Sequence, residues 1–182
     1  MKTKHLSLLG LFFFLLSYLF FSKVLPDFQT SIDLAHWFNL IGACLLLSFN
    51  DVFPKNKLNS IASFVTFLGV IAHAGLCTID FIMFSFGNDD FAREQLSQNI
   101  SNSSFILYPF IIIGPSLLFI GLAMHAFNFI RTSTISALMV IIAAPAIGIS
   151  FFILKDGVWM LLSCIVFTFG LGLLLFKVNP KK

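Results

Sequence analysis

The sequence predicts an all-α fold: a polytopic transmembrane bundle of six spans forming a single domain over residues 1–182. The prediction depends on composition, since 58% of the residues are hydrophobic, 10% are charged and mean hydropathy is +0.98. A soluble domain of this length needs more charge on its surface. Apolar runs long enough to cross a bilayer also recur between short polar links. We predict these spans at 6–24, 34–50, 60–86, 105–130, 133–154 and 158–177.

The first two predicted spans are marked by different features. Lys2 and Lys4 precede an apolar run that ends near Phe21, which is how a secretory signal peptide begins. No small-residue cleavage site follows this run, so we expect an uncleaved first span. The second span is short, and His36 and Asn39 give it a polar face at helical spacing.

The third span carries the most informative pattern in the chain. At helical spacing, one stripe of this span holds small, polar or ionisable residues: Thr66, Gly69, His73, Cys77 and Asp80. An aspartate and a histidine are costly to expose to lipid, so we expect both to face protein or water. The stripe therefore predicts which side of the third span packs against the rest of the bundle.

The second half of the chain begins with the longest polar segment. Residues 87–104 form the predicted outer polar loop, within which 89–96 is expected to form a short surface helix capped by aspartates. Prolines in the spans that follow predict helix kinks at Pro109, Pro115 and Pro145.

The distribution of basic residues predicts the orientation. With the N-terminus inside, eight basic residues lie on inner segments: Lys2, Lys4, Lys55, Lys57, Arg131, Lys177, Lys181 and Lys182. Only Lys23, Arg93 and Lys155 lie on outer segments. The positive-inside rule therefore predicts cytoplasmic N- and C-termini. The expected location is an integral, multi-pass position in a membrane, the plasma (inner) membrane if the source is bacterial.

Polar side chains within the spans are the candidates for binding a ligand or an ion. They are His36, Asn39, His73, Cys77, Asp80, His125 and Asn128. Counting residues along each span places His36 and Asp80 at similar depth near the outer side, with His73 near the bilayer centre. His125 is expected nearer the inner side, so the ionisable groups are staggered, as in a proton or cation path.

Metal and haem sites are alternatives that the spacing supports only weakly. His36, His73 and Asp80 can supply three zinc ligands only if His73 lies closer to the outer side than its position indicates. A haem bound by two histidines needs both ligands at the same depth in the membrane. The expected depths of His73 and His125 differ by about 10 Å. The cysteines also lie within spans, where we expect buried free thiols at Cys44, Cys77 and Cys164.

Three functional hypotheses remain open. The first is a small membrane protein that binds or translocates a small ligand or ion, such as a proton or cation, in a polar cavity between spans two, three and four. The second is an intramembrane metal- or haem-dependent enzyme or redox protein, although the pattern identifies no cofactor. The third is a structural or partner subunit of a membrane complex, with polar stripes that bind helices together. The expected partners are the lipid bilayer, a small ligand or ion, and a second copy or another membrane protein. Nucleic acid is not expected, because basic residues form no patch with interleaved aromatics.

Overall fold

The computed structural model describes residues 3–24 and 32–178, which are all-helical. Helix accounts for 86% and no strand occurs in the described ranges, so the predicted fold class is confirmed at this level. Lys2, Lys181 and Lys182, which contributed to the predicted orientation, lie outside these residues.

The helices follow the predicted spans with several interruptions. Their bounds are α1 Thr3–Phe21, α2 Ile32–Leu46, α3 Phe49–Val52, α4 Lys57–Ser85, α5 Asp90–Asn102, α6 Ser104–Ile106, α7 Gly114–Phe127, α8 Thr134–Ile149 and α9 Gly157–Lys177. Two π-helical turns extend this framework, Leu107–Ile112 before α7 and Ser150–Leu154 after α8.

Within the described residues, five helices are long and apolar enough to cross a membrane. They are Thr3–Phe21, Lys57–Ser85, Ser104–Phe127, Thr134–Leu154 and Gly157–Lys177. Helix α2 is not among them because it has 15 residues, a length of about 23 Å against a hydrocarbon core of about 30 Å. The sixth span and the orientation of the termini therefore stay predictions.

The long helices pack in a ring in the order α1, α2, α4, α7, α8, α9 and back to α1. The α4–α7 contact is especially close because small residues lie in it. A Cβ atom at Gly69 would clash with the backbone of Leu118, and one at Gly121 would clash with the backbone of Thr66. These two glycines let the backbones of α4 and α7 approach directly, as small residues do between membrane helices.

An aromatic centre fills the middle of the ring. It consists of Phe14, His73, Phe119 and Phe167, which come from four different helices. The Phe119 ring lies 5.8 Å from Phe14, 6.0 Å from His73 and 5.4 Å from Phe167, measured between ring centroids. This layer separates the end of the bundle that contains His36 from the end that contains His125.

The prolines lie where the helices change geometry. Pro109 is inside the first π-helical turn, and Pro115 is in the first turn of α7, so the fourth predicted span is interrupted just before Gly114. Pro145 lies inside α8, one turn before the second π-helical turn. A proline has no N–H to donate, which weakens the preceding turn and favours such irregular geometry.

Two local expectations need correction. The surface helix predicted at 89–96 is longer, since α5 covers Asp90–Asn102; the Asp89 side chain caps it by accepting from the Ala92 N–H at 3.0 Å. Cys77 and Cys164 are buried as expected, but Cys44 is exposed.

Candidate ligand-binding cavity

A cavity of about 990 Å³ runs beside the aromatic centre, from the His36 end along α4, α7 and α8 to Leu58 and Phe127. Its walls are mainly Leu, Ile, Met and Phe side chains, so most of its surface is apolar. A small number of polar side chains interrupt this lining: Tyr18, His36, Asn39, His73, Asp80 and Ser116. An apolar pocket with a few convergent polar groups is the usual form of a small-molecule site.

The central polar feature of the cavity is the contact between His36 on α2 and Asp80 on α4. The Nε2 atom of His36 lies 2.9 Å from Oδ2 of Asp80. His36 is 8% exposed, whereas the Asp80 side chain is 34% exposed. The sequence placed these residues at similar depth, and the structure brings them into direct contact.

Aromatic rings surround the His36 side of this pair. The imidazole packs edge-on against Phe21, with 4.9 Å between ring centroids, and against Phe81 at 6.0 Å. These rings exclude water from the histidine and lower the local dielectric, which strengthens its attraction to the carboxylate. Asp80 therefore has one side bound to His36 while the rest of its carboxylate is accessible from the cavity.

Asn39 lies one helical turn from His36 and lines the same cavity. It is 6% exposed. Among the described residues its Oδ1 atom has no hydrogen-bond partner. Buried amide oxygens are rarely left without a donor, so this atom marks an unusual position in the cavity wall.

His73 lies in the cavity wall at the aromatic centre and is 2% exposed. Its Nδ1 atom lies 3.2 Å from the carbonyl oxygen of Gly69, one turn earlier on α4. Cys77 is fully buried on the same stripe but is absent from the described lining. The stripe of α4 thus faces the other helices along its length, and Asp80 is its most accessible member.

The described residues contain no group of three or more His, Cys, Asp or Glu side chains that could hold a metal ion. The possible zinc set of His36, His73 and Asp80 is therefore not assembled, because only His36 and Asp80 come into contact. His73 and His125 likewise lie in separate environments, because His73 belongs to the aromatic centre and His125 contacts asparagine side chains at one end of the bundle.

The remaining two sequence candidates, His125 and Asn128, belong to a polar cluster at the other end of the bundle. His125 is fully buried; its Nδ1 contacts Oδ1 of Asn59 at 2.9 Å, and its Nε2 contacts Oδ1 of Asn50 at 2.9 Å. Asn128 donates from Nδ2 to the same Asn59 oxygen at 2.5 Å and accepts from Asn56 at 2.8 Å. We call His125, Asn50, Asn56, Asn59 and Asn128 the asparagine cluster.

The asparagine cluster connects several elements through atoms that are already hydrogen-bonded. Asn59 also donates to the carbonyl of Pro54, and the Asn56 side chain caps α4 by accepting from the Asn59 N–H at 2.8 Å. Each of its side chains contacts another member of the cluster, which is the expected arrangement for a buried polar network that holds helices together.

Sequence reasoning missed several residues that shape these regions, among them Asn59, Tyr18 and Ser116. Asn59 lies seven residues, two helical turns, before Thr66, the first member of the α4 stripe, so extending the helical spacing backwards would have found it. Tyr18 and Ser116 in the cavity wall had no comparable signal, because isolated hydroxyl residues are common in apolar spans.

Comparison of the chain with known protein families, with curated proteins and with solved structures found no match.

Proposed function

We propose that this protein binds a small amphipathic molecule inside the membrane, in the cavity described above. The observation that carries the proposal is the combination of a large apolar cavity with a partly exposed carboxylate and a buried amide at one end. Its volume of about 990 Å³ is at the upper end of the usual range for small-molecule pockets. A ligand with an apolar body and a polar head matches both parts.

The edges of the cavity support entry from the bilayer. Ile120 and Phe127 on α7, and Phe151 and Phe152 after α8, line the cavity and are between 40% and 55% exposed. Large apolar side chains exposed on a membrane bundle face lipid, so an opening between them leads to acyl chains rather than to water. An amphipathic molecule dissolved in the bilayer is the class of ligand that such an opening admits.

Binding is better supported than a continuous ion path. The cavity lining between the His36 end and the asparagine cluster is mainly apolar, and the buried rings of Phe14, Phe119 and Phe167 form a layer at the centre of the bundle. An ion crossing this layer would lose its hydration without gaining polar partners, which is strongly unfavourable. The staggered histidines predicted from the sequence are therefore interpreted as two separate polar regions.

We also propose that the chain crosses the membrane six times with both termini in the cytoplasm. Helix α2 lies along α1 and α4 as a full member of the ring, and α3 continues it after a two-residue turn. The basic side chains at the asparagine-cluster end include Lys55, Lys57 and Arg131, in keeping with the positive-inside rule. Impermeant thiol reagents in intact cells should label a cysteine at Lys155 but not one at Lys57; the reverse would overturn this orientation.

Gly148 provides a direct test of ligand binding. It lines the cavity, and a Cβ atom added there meets nothing within 4 Å. Gly148→Leu should therefore fill part of the cavity without disturbing the helix. The matched control is Gly172→Leu on α9, where an added Cβ meets only the end of the Leu11 side chain, at 4.0 Å.

Native mass spectrometry of the purified full chain, released from phosphatidylcholine nanodiscs, measures retained amphiphile. We expect wild type and Gly172→Leu to retain added dodecylamine or dodecanol, and Gly148→Leu to lose most of the bound fraction. Equal retention by Gly148→Leu and wild type would contradict the proposal, as would no retention by wild type.

A further inference from the structure

We infer that the ligand has a head group that donates hydrogen bonds, a hydroxyl or an ammonium, and that this head binds at Asn39 and Asp80 with its apolar tail in the rest of the cavity. This inference rests on the proposed function and specifies the chemical class of the ligand.

The unpartnered amide oxygen of Asn39 is the first observation. Asn39 is buried, with only 6% of its surface exposed, and it lines the cavity. Its Oδ1 atom has no donor within the part of the chain that the structure describes. Burying an acceptor without a donor is unfavourable, and a ligand N–H or O–H at this position would remove that penalty.

Asp80 supplies the second acceptor. One of its oxygens contacts His36, but a carboxylate has two oxygens that together accept up to about four hydrogen bonds. The side chain is 34% exposed and lines the cavity. Asn39 is one helical turn, about 4.5 Å, from the level of His36 and its partner Asp80. A primary ammonium has three N–H donors and can therefore reach both residues, whereas a hydroxyl has one and can donate to either of them.

The charges around the cavity exclude the opposite kind of head group. No Lys or Arg appears among the described lining residues, and His36 is already engaged with Asp80. A carboxylate or phosphate head would place its negative charge beside Asp80 and its acceptors beside the Asn39 oxygen. Such like-charge contacts in an apolar environment are unfavourable, so fatty acids and anionic lipids are poor candidates.

The apolar part of the cavity indicates a long tail. Its lining follows α4 from Leu58 to Phe84 and includes Met124 and Phe127 at the far end. The polar lining side chains are concentrated toward the His36 end, so the cavity has one polar end and one apolar end. A single-chain amphiphile has the same division and can lie along it.

A matched series of twelve-carbon amphiphiles tests this inference without any substitution. The probe is radiolabelled dodecylamine bound to the full chain in phosphatidylcholine nanodiscs, with empty nanodiscs as the background. Unlabelled dodecylamine, dodecanol, dodecanoate and methyl dodecanoate then compete for the site. We expect dodecylamine and dodecanol to compete at least about tenfold better than the other two, because only they carry donors.

Comparing dodecylamine with dodecanol shows whether hydrogen bonding or charge causes the preference for these two amphiphiles. Equal competition by dodecylamine and dodecanol indicates hydrogen bonding alone, and tighter dodecylamine binding indicates an added charge contribution from Asp80. Competition by dodecanoate or methyl dodecanoate equal to that of dodecylamine would overturn the inference while leaving the proposed function intact. Failure of all four to bind would overturn the proposed function as well.

A substitution then assigns the preference to Asn39. Asn39→Leu removes the amide and leaves a side chain of similar volume. Dodecylamine is expected to compete about tenfold better than methyl dodecanoate for the wild-type protein, and less than about threefold better for this variant. Thr78→Val is the control, because Thr78 is exposed and its hydroxyl donates to the Ala74 carbonyl on its own helix. Retention of the full advantage in Asn39→Leu would overturn the assignment.

Discussion

The two polar regions of the bundle use the same kinds of residue in opposite ways. In the asparagine cluster, both ring nitrogens of His125 contact asparagine side chains, and the imidazole is fully buried. At the cavity, His36 contacts a carboxylate that is 34% exposed. The neighbouring amide oxygen of Asn39 has no partner among the described atoms. The proposed function therefore rests on the His36 region, where neighbouring groups retain unused hydrogen-bonding capacity, and not on the asparagine cluster.

The largest effect in this comparison is expected at Asn59. Asn59→Leu removes the shared acceptor of His125 and Asn128 and the donor to the Pro54 carbonyl, leaving several buried groups unpaired. We expect the free energy of unfolding to fall by roughly 2–4 kcal/mol, measured by denaturation of the purified protein in mixed micelles. The control Asn102→Leu, at an exposed position in α5, should change it by less than about 0.5 kcal/mol. An unchanged free energy of unfolding in Asn59→Leu would contradict the structural role assigned to the asparagine cluster.

Asp80→Asn should show the reverse pattern, with a larger effect on binding than on stability. The amide keeps a hydrogen-bonding group beside His36 but removes the negative charge that faces the cavity. We expect dodecylamine affinity to fall about tenfold while unfolding free energy changes by less than about 1 kcal/mol. Asp90→Asn, which changes an exposed aspartate of α5, is the control for charge alone. Loss of stability with intact affinity would reverse the roles of the two regions.

Asn39→Leu is expected to stabilise the ligand-free protein. The substitution removes a buried acceptor that has no donor and leaves an apolar side chain of similar volume. The gain should be about 1 kcal/mol, visible as a higher midpoint of thermal unfolding in nanodiscs without added amphiphile. A lower midpoint would mean that the amide has a structural partner, and the contrast with the asparagine cluster would then be lost.

Ser116→Ala is expected to have the smallest effect. Ser116 lines the cavity, but its hydroxyl donates to the Ile112 carbonyl in its own helical segment at 3.3 Å. Neither stability nor dodecylamine affinity should change beyond about 0.5 kcal/mol, in the assays used for Asp80→Asn. A marked loss of affinity would add Ser116 to the head-group site and weaken the assignment to Asn39 and Asp80.

The sequence predicted the inward-facing stripe of α4 well, because a period of 3.6 residues and the cost of exposing charge to lipid are both local rules. Counting depth along two helices was enough to place His36 near Asp80. The cavity was less accessible to this reasoning, since its walls come from helices whose apolar residues are indistinguishable from lipid-facing ones. Phe119 and Phe127, for example, occupy the same helix, yet one is 8% exposed and the other 55%.

The break between α2 and α3 had no clear signal either. The predicted span ran through 34–50, but the helix stops at Leu46 and resumes at Phe49. Ser48 lies in this turn, and its hydroxyl approaches that of Ser7 on α1 at 2.6 Å. A contact between residues 41 positions apart cannot be inferred from local propensity, which explains why the sequence indicated one continuous helix.

The close approach of α4 and α7 at Gly69 and Gly121 has a consequence for motion. Because their backbones are in direct contact, α4 and α7 are expected to move together as a rigid pair. The cavity wall that moves when a ligand enters is therefore expected to be α8. Pro145 leaves a gap in the hydrogen-bond ladder of that helix, and Gly148 adds little bulk. Amide hydrogen–deuterium exchange should accordingly be faster in residues 141–149 than around Gly69. Equal protection of the two segments would mean that the local opening of the bundle occurs at another helix.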